Sequence, residues 1–136
     1  MNFCEASKKR SRYDLRNILK DTIVNAKPND AVTFVDNHDT VNGVQYVESN
    51  FKPQAYAIIL LRGKGYPCVF YGDLYPNHEY NEMVATSLTQ LIDARKKFAY
   101  GETNDYVSDK NCIGFVRSGD STHPGCAVVL SNADEE

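Results

Sequence analysis

With 136 residues, 42% of them apolar and 11% aromatic, the chain has the size and composition of one ordinary folded domain, which excludes a disordered polymer. Its 15 basic and 18 acidic residues give a net charge of −3 with no long block of either sign, which argues against nucleic acid and anionic membrane as partners. No run of about 18 apolar residues is present, and the four cysteines, Cys4, Cys68, Cys112 and Cys126, include no CxxC pair that would favour a compact thiolate metal centre.

The cluster Lys8-Lys9-Arg10 with Arg12 reads as the solvated start of a helix. That helix opens at Ser11, with Asp14 three residues on in capping-box spacing. Leu15, Ile18, Leu19, Thr22 and Ile23 then form one buried stripe, and Pro28 stops it. Residues 31–36, AVTFVD, are β-branched and apolar on both alternations, which predicts a strand covered on both faces, as in a parallel sheet. A polar segment follows to Asn50. The next helix starts near Lys52-Pro53 and runs through residues 55–61 to Gly63 or Gly65. Residues 66–71, YPCVFY, give a second buried strand ending at Gly72, with Tyr71 read as core rather than pocket lining. After a polar loop over residues 73–81, a third helix carries the stripe Val84, Leu88, Leu91, Ile92 and Phe98 and closes at Gly101.

This helix–strand–helix–strand–helix order predicts right-handed crossovers in an α/β fold. After Gly101 the pattern changes to short strands at residues 106–107, 113–116 and 127–130, an antiparallel meander. Cys68, Cys112 and Cys126 read as buried reduced thiols, with a Cys112–Cys126 bridge across a hairpin as the alternative. His78 and His123 read as solvated loop histidines. Two strands make no stable parallel sheet and three make no sandwich, so both ends read as cut.

Functional groups in parallel α/β folds sit where strands give way to loops at the carboxyl edge. The stretch FVDNHDT puts Asp36, Asn37, His38 and Asp39 there. From residue types alone three readings stand: a capped turn, because Asp and Asn bond their own backbone; a catalytic cluster; or a metal site built on the Asp-x-His pair, for which further ligands are not evident.

The stretch FVDNHDT resembles the fourth signature region of the α-amylase family, glycoside hydrolase family 13. MNFCEASKK, YDLRNILKDTIV, FKPQAYAIILLR, GYPCVFYGDLY, ARKKFAYG, NDY and IGFVRSGD resemble, in order, further segments of the liquefying bacterial and intracellular members. The resemblance implies a fold: residues 1–101 as the last part of a catalytic (β/α)8 TIM barrel, from the end of strand 6 to helix 8, and 102–136 as the beginning of an antiparallel C-terminal domain. Residues 1–3 would be the tail of barrel strand 6. It implies an activity, the retaining endo-hydrolysis of α-1,4-glucosidic bonds through an oxocarbenium-like transition state. The nucleophile and the acid would lie upstream, leaving the chain inactive alone. Asp39 would be the third catalytic carboxylate and His38 a substrate-binding residue beside it. Asp36 would hold the strand end, and Asn37 would either brace the loop or touch sugar. Tyr46, Tyr56, Tyr75, Tyr80, Tyr100 and Tyr106 are candidates for stacking on glucose.

The resemblance further implies calcium, with its main ligands outside this segment. Asp105 is similar to a ligand of a further calcium between barrel and C-terminal domain, but Asn132 stands where a second acid is expected, so no metal residue is assigned. The rim departs from the pattern at Asn50, where the liquefying enzymes carry tryptophan, and at Pro76. An α-glucan substrate, a monomeric parent and a cytoplasmic location complete the expectation. The alternative is a non-catalytic module that binds glucan or a partner chain.

Overall fold

The computed structural model describes residues 1–9, 12–41, 43–75 and 82–133. Ser11, Pro76, His78, Tyr80 and residues 134–136, on which some sequence expectations fall, lie outside them. Five helices are described: α1 (Asn2–Ser7), α2 (Ile23–Ala26), α3 (Lys52–Leu61), α4 (Tyr71–Leu74) and α5 (Glu82–Phe98). Five strands accompany them, β1 (Val32–Phe34), β2 (Tyr66–Cys68), β3 (Thr103–Ser108), β4 (Cys112–Arg117) and β5 (Cys126–Ser131).

β1 and β2 pair in parallel, Val32 opposite Tyr66 and Phe34 opposite Cys68, joined through α3 as the periodicity predicts. β3, β4 and β5 form the antiparallel meander expected after Gly101. α3 is apolar all round, and every residue from Ala55 to Leu61 is buried. A helix of that kind has to be enclosed. α5 and the parallel pair pack on it, and Phe115, Val128 and Leu130 of the meander join the same hydrophobic cluster.

The carboxyl end of α3 shows how closely the two regions are joined. The last carbonyls of a helix have no partner within it. Here Arg95 donates to Leu60 O, Arg117 Nη1 to Leu61 O at 2.8 Å, and Thr103 Oγ1 to Arg62 O at 2.6 Å. Arg117 also donates to Gly101 O. Burial, uncompensated by a carboxylate, pushes its guanidinium below the usual arginine value.

Several expectations are corrected. Of residues 1–3, expected as a strand tail, Asn2 and Phe3 are helical in α1. The helix expected after Ser11 is broken in two. The Asp14 carboxylate accepts from Arg16 N and caps a single 3-10 turn, Leu15–Asn17; Asp21 then takes the left-handed region at φ 56°, and Thr22 caps the short α2. Two local caps outcompete one continuous helix, and Ile23 is 70% exposed instead of buried.

The parallel strands are not covered on both faces. Val32, Phe34, Tyr66 and Cys68 are exposed. Tyr71 is also exposed, at 72%, because the chain turns into α4 directly after Phe70. No bridge joins Cys112 to Cys126. The register sets Cys112 opposite Ser131 and Cys126 opposite Arg117, five residues apart along β4, or roughly 17 Å, beyond disulfide reach. Both thiols are free and half-buried.

Candidate functional site

β1 delivers its last residues to the carboxyl edge, where Asp36 is only 2% exposed. The next four residues close on themselves. Asn37 Oδ1 accepts from the backbone N–H groups of Asp39 and Thr40, each at 2.9 Å. Thr40 Oγ1 accepts from Asn37 N at 2.9 Å and donates to Asp36 Oδ1 at 3.1 Å. A Cβ at Gly43 would sit 2.8 Å from Asp39 O, so glycine is what lets the chain fold back over this loop. Asn37 is therefore a brace.

Beneath the loop lies a buried ionic network that sequence reasoning missed. Lys52 Nζ, at the start of α3, stands 2.8 Å from Asp36 Oδ2 and 2.6 Å from Asp73 Oδ1. The contact with Asp73 is a directed hydrogen bond; that with Asp36 is ionic, without hydrogen-bond alignment. Tyr56 donates to Asp73 Oδ2 at 2.6 Å and accepts from Phe70 N at 3.4 Å. Burial opposes the charge on Lys52, but the two carboxylates outweigh it and hold its pKa above the ordinary lysine value. Burial, then the hydrogen bond to Asp73, raise the Tyr56 phenol well above its usual range. Tyr56 is fully buried and unavailable for sugar stacking.

A lysine in the first turn of a helix opposes the helix dipole. In an otherwise apolar helix it calls for anionic partners, and the acids following the two parallel strands supply them. That was the available signal.

The two remaining ionisable groups of the loop point outward. The side chains of His38 and Asp39 are 86% and 80% exposed, with His38 Nε2 3.3 Å from Asp39 Oδ1. A cavity of about 460 Å³ reaches the loop's underside at Thr40 and is lined by Phe3, Ile18, Phe34 and Val47, but not by Asp39. The edge thus presents a carboxylate and an imidazole, side by side, on backbone fixed by Asn37, Thr40 and the Lys52 network. Such a pair can hydrogen-bond vicinal hydroxyls.

The chain is 45% identical over 138 residues to the glucan 1,4-alpha-maltohexaosidase of Bacillus sp. (strain 707), which covers 96% of this chain and 26% of that protein. It is 43% identical to the cytoplasmic alpha-amylase of Escherichia coli (strain K12), over 99% of this chain and 30% of the relative. In sequence, the chain matches one segment of relatives named as α-amylases along almost its whole length. It spans between a quarter and a third of the length of these α-amylase relatives. No protein-family model matches it. Its fold is similar to part of the gamma-CGTase from alkalophilic Bacillus clarkii, with a TM-score of 0.53 and 22% identity over 79% of this chain and 19% of that one. The mixed α/β unit followed by an antiparallel sheet is thus a fold that recurs within part of that protein.

The α-amylase resemblance implies calcium, and the residues present do not form a site for it. Among the described residues no three His, Cys, Asp or Glu side chains converge. Asp105 is held bidentately by Arg62, at 2.7 and 2.8 Å, and this guanidinium lowers its carboxyl pKa. Asn132, where a second acid is expected, is a neutral amide that donates to Tyr13 O at 3.1 Å.

His123 is not simply solvated. Its ring stacks on Tyr100 with centroids 3.5 Å apart, and Nδ1 lies 2.8 Å from Asp120 Oδ1. Asp120 also accepts from the backbone N–H groups of Thr122 and His123. The Thr122 amide first, then the His123 ring, bring its pKa down to about 2 from an ordinary 3.8. A depressed carboxylate contributes stability above its unfolded value and loses it as pH falls through the folded one. The turn is therefore expected to stay ordered at pH 4 and loosen towards pH 2. Carboxyl 13C titration of Asp120 measures this, and a midpoint near 3.8 would refute it.

Proposed function

We propose that the chain supplies the third catalytic carboxylate, Asp39, and the sugar-binding His38 to an enzyme that hydrolyses α-1,4-glucosidic bonds in starch, glycogen or maltooligosaccharides with retention. One observation carries this reading. Asp36, Asn37 and Thr40 are consumed in bracing the loop, while Asp39 and His38 are left facing solvent on a fixed backbone. In this role Asp39 bonds sugar hydroxyls more strongly as the ring flattens, so its stabilisation is realised in the transition state. His38 bonds hydroxyls beside it.

The nucleophile and the acid are assigned to the part of such an enzyme outside this chain. Residues 1–101 are read as the last part of its barrel and 102–136 as the beginning of its antiparallel domain. Calcium is assigned to ligands elsewhere in the parent, which we take to be monomeric. The cytoplasmic relative from Escherichia coli supports a cytoplasmic location.

Purified residues 1–136 are expected to release no reducing sugar from soluble starch. Grafted in place of the matching segment of the Escherichia coli enzyme, the chain is expected to yield an active hydrolase. Starch hydrolysis by the chain alone, abolished in Asp39→Ala, would overturn the reading, as would a folded but inactive graft.

One feature favours the non-catalytic glucan-binding alternative. The exposed rings of Tyr71 and Tyr75 lie 4.8 Å apart at 36° on the same carboxyl edge, a surface on which sugar can stack. Retention of the chain on immobilised maltoheptaose, together with an inactive graft, would select it.

A further inference from the structure

The opposite, amino edge of the parallel pair carries a second polar concavity. A cleft of about 410 Å³ opens between the turn at residues 15–20, Asn25 of α2, the loop after α3 and strand β3. Arg16, Lys20, Arg62 and Lys64 line it, with Asp105 as the acid among the lining residues. Two of these cations are already neutralised: Arg16 Nη2 lies 2.6 Å from Asp14 Oδ2, and Arg62 is held by Asp105. Lys20 and Lys64 have no ion-pair partner among the described residues.

Both lysines sit on constrained backbone. Gly63 and Gly65, at φ 80° and 77°, flank Lys64, and Lys20 precedes Asp21 at φ 56°. Both lysines line this one cleft, where their fields add, with Asp105 near enough to Lys64 to feel its charge. Compact ammonium charges suit a phosphoryl group, whose oxygens accept from several donors at once. The exposed amide of Asn25 stands on the same wall as a further donor. The volume exceeds that of a single phosphate and leaves room for a sugar-sized body.

We propose that this cleft binds a small phosphate-bearing anion, with the phosphoryl group between Lys20 and Lys64. The site does not depend on the hydrolase reading, since it lies at the edge opposite Asp39 and uses none of the same residues.

The test is titration of inorganic phosphate into the chain at constant ionic strength, with chloride as the balancing anion, followed by amide resonances. Saturable shifts are expected at Lys20, Asn25 and Lys64. Lys20→Gln/Lys64→Gln should weaken binding about tenfold while leaving the melting temperature unchanged, because neither side chain has an ion pair to lose. A parallel titration with glucose 1-phosphate separates the sources: tighter binding assigns the spare volume to a sugar, equal binding to the phosphoryl group alone. Absence of saturable shifts up to about 20 mM phosphate, equal shifts with chloride alone, or undiminished affinity in the double variant would overturn the proposal.

Discussion

Asp39→Asn, made in the graft of this chain into the Escherichia coli cytoplasmic α-amylase, is expected to lower kcat on maltooligosaccharides on the order of 10³-fold, with little change in KM. The substitution keeps the size of the side chain and removes its charge. The backbone N–H of residue 39 still donates to Asn37 Oδ1, so the loop should keep its shape. A loss confined to kcat is what an interaction made only in the transition state produces. Steady-state kinetics beside a thermal melt decide the matter: a kcat within threefold of the parent graft would remove Asp39 from the reaction. An equal loss in thermal stability would instead make it a structural residue.

Lys52→Met is expected to destabilise the chain by about 3–5 kcal/mol, because it leaves Asp36 and Asp73 buried together without their cation. Against a typical total of about 5–15 kcal/mol, that is enough to unfold a large fraction of the molecules. The triple variant Lys52→Met/Asp36→Asn/Asp73→Asn should recover much of the loss, since the unpaired charges go with the lysine. Denaturant melts measure both, and a single variant within 1 kcal/mol of wild type would show the network to be idle.

The pH dependence carries its own sign. Lys52 is held above its ordinary value of 10.5, so its contribution is complete below that value and declines as pH rises through the higher folded pKa. The gap between wild type and Lys52→Met should therefore stay constant from pH 7 to 9 and narrow only above about pH 10.5.

What the sequence revealed follows from where local and global preferences agree. α3 and α5 were legible because their apolar positions, Pro53 and Gly101 all favour the same boundaries. The strand pair and the meander were legible from short apolar runs set between turn residues. The stretch after Ser11 was misread because its helical spacing is real, yet Asp14 and Thr22 each offer the backbone a closer partner. The exposure of Val32, Phe34 and Tyr71 could not be read from residue type, since hydrophobicity says that a face prefers cover and not whether this chain provides it.

At the site, FVDNHDT placed the polar groups correctly at the strand's carboxyl edge, and Asp36 has the structural role expected of it. Lys52 and Asp73 were missed because each partner lies in a different element, and only the fold brings them within 3 Å.

The donors at the end of α3 set a rule for recombining this chain with its relatives. Leu60, Leu61 and Arg62 depend for their carbonyl partners on Arg95, Arg117 and Thr103, two of which lie beyond residue 101. A crossover point at the apparent change of architecture would part acceptors from donors and join two halves never selected together. Seams placed outside residues 60–117 would inherit the set intact, so the meander behaves in exchange as part of the helix it caps.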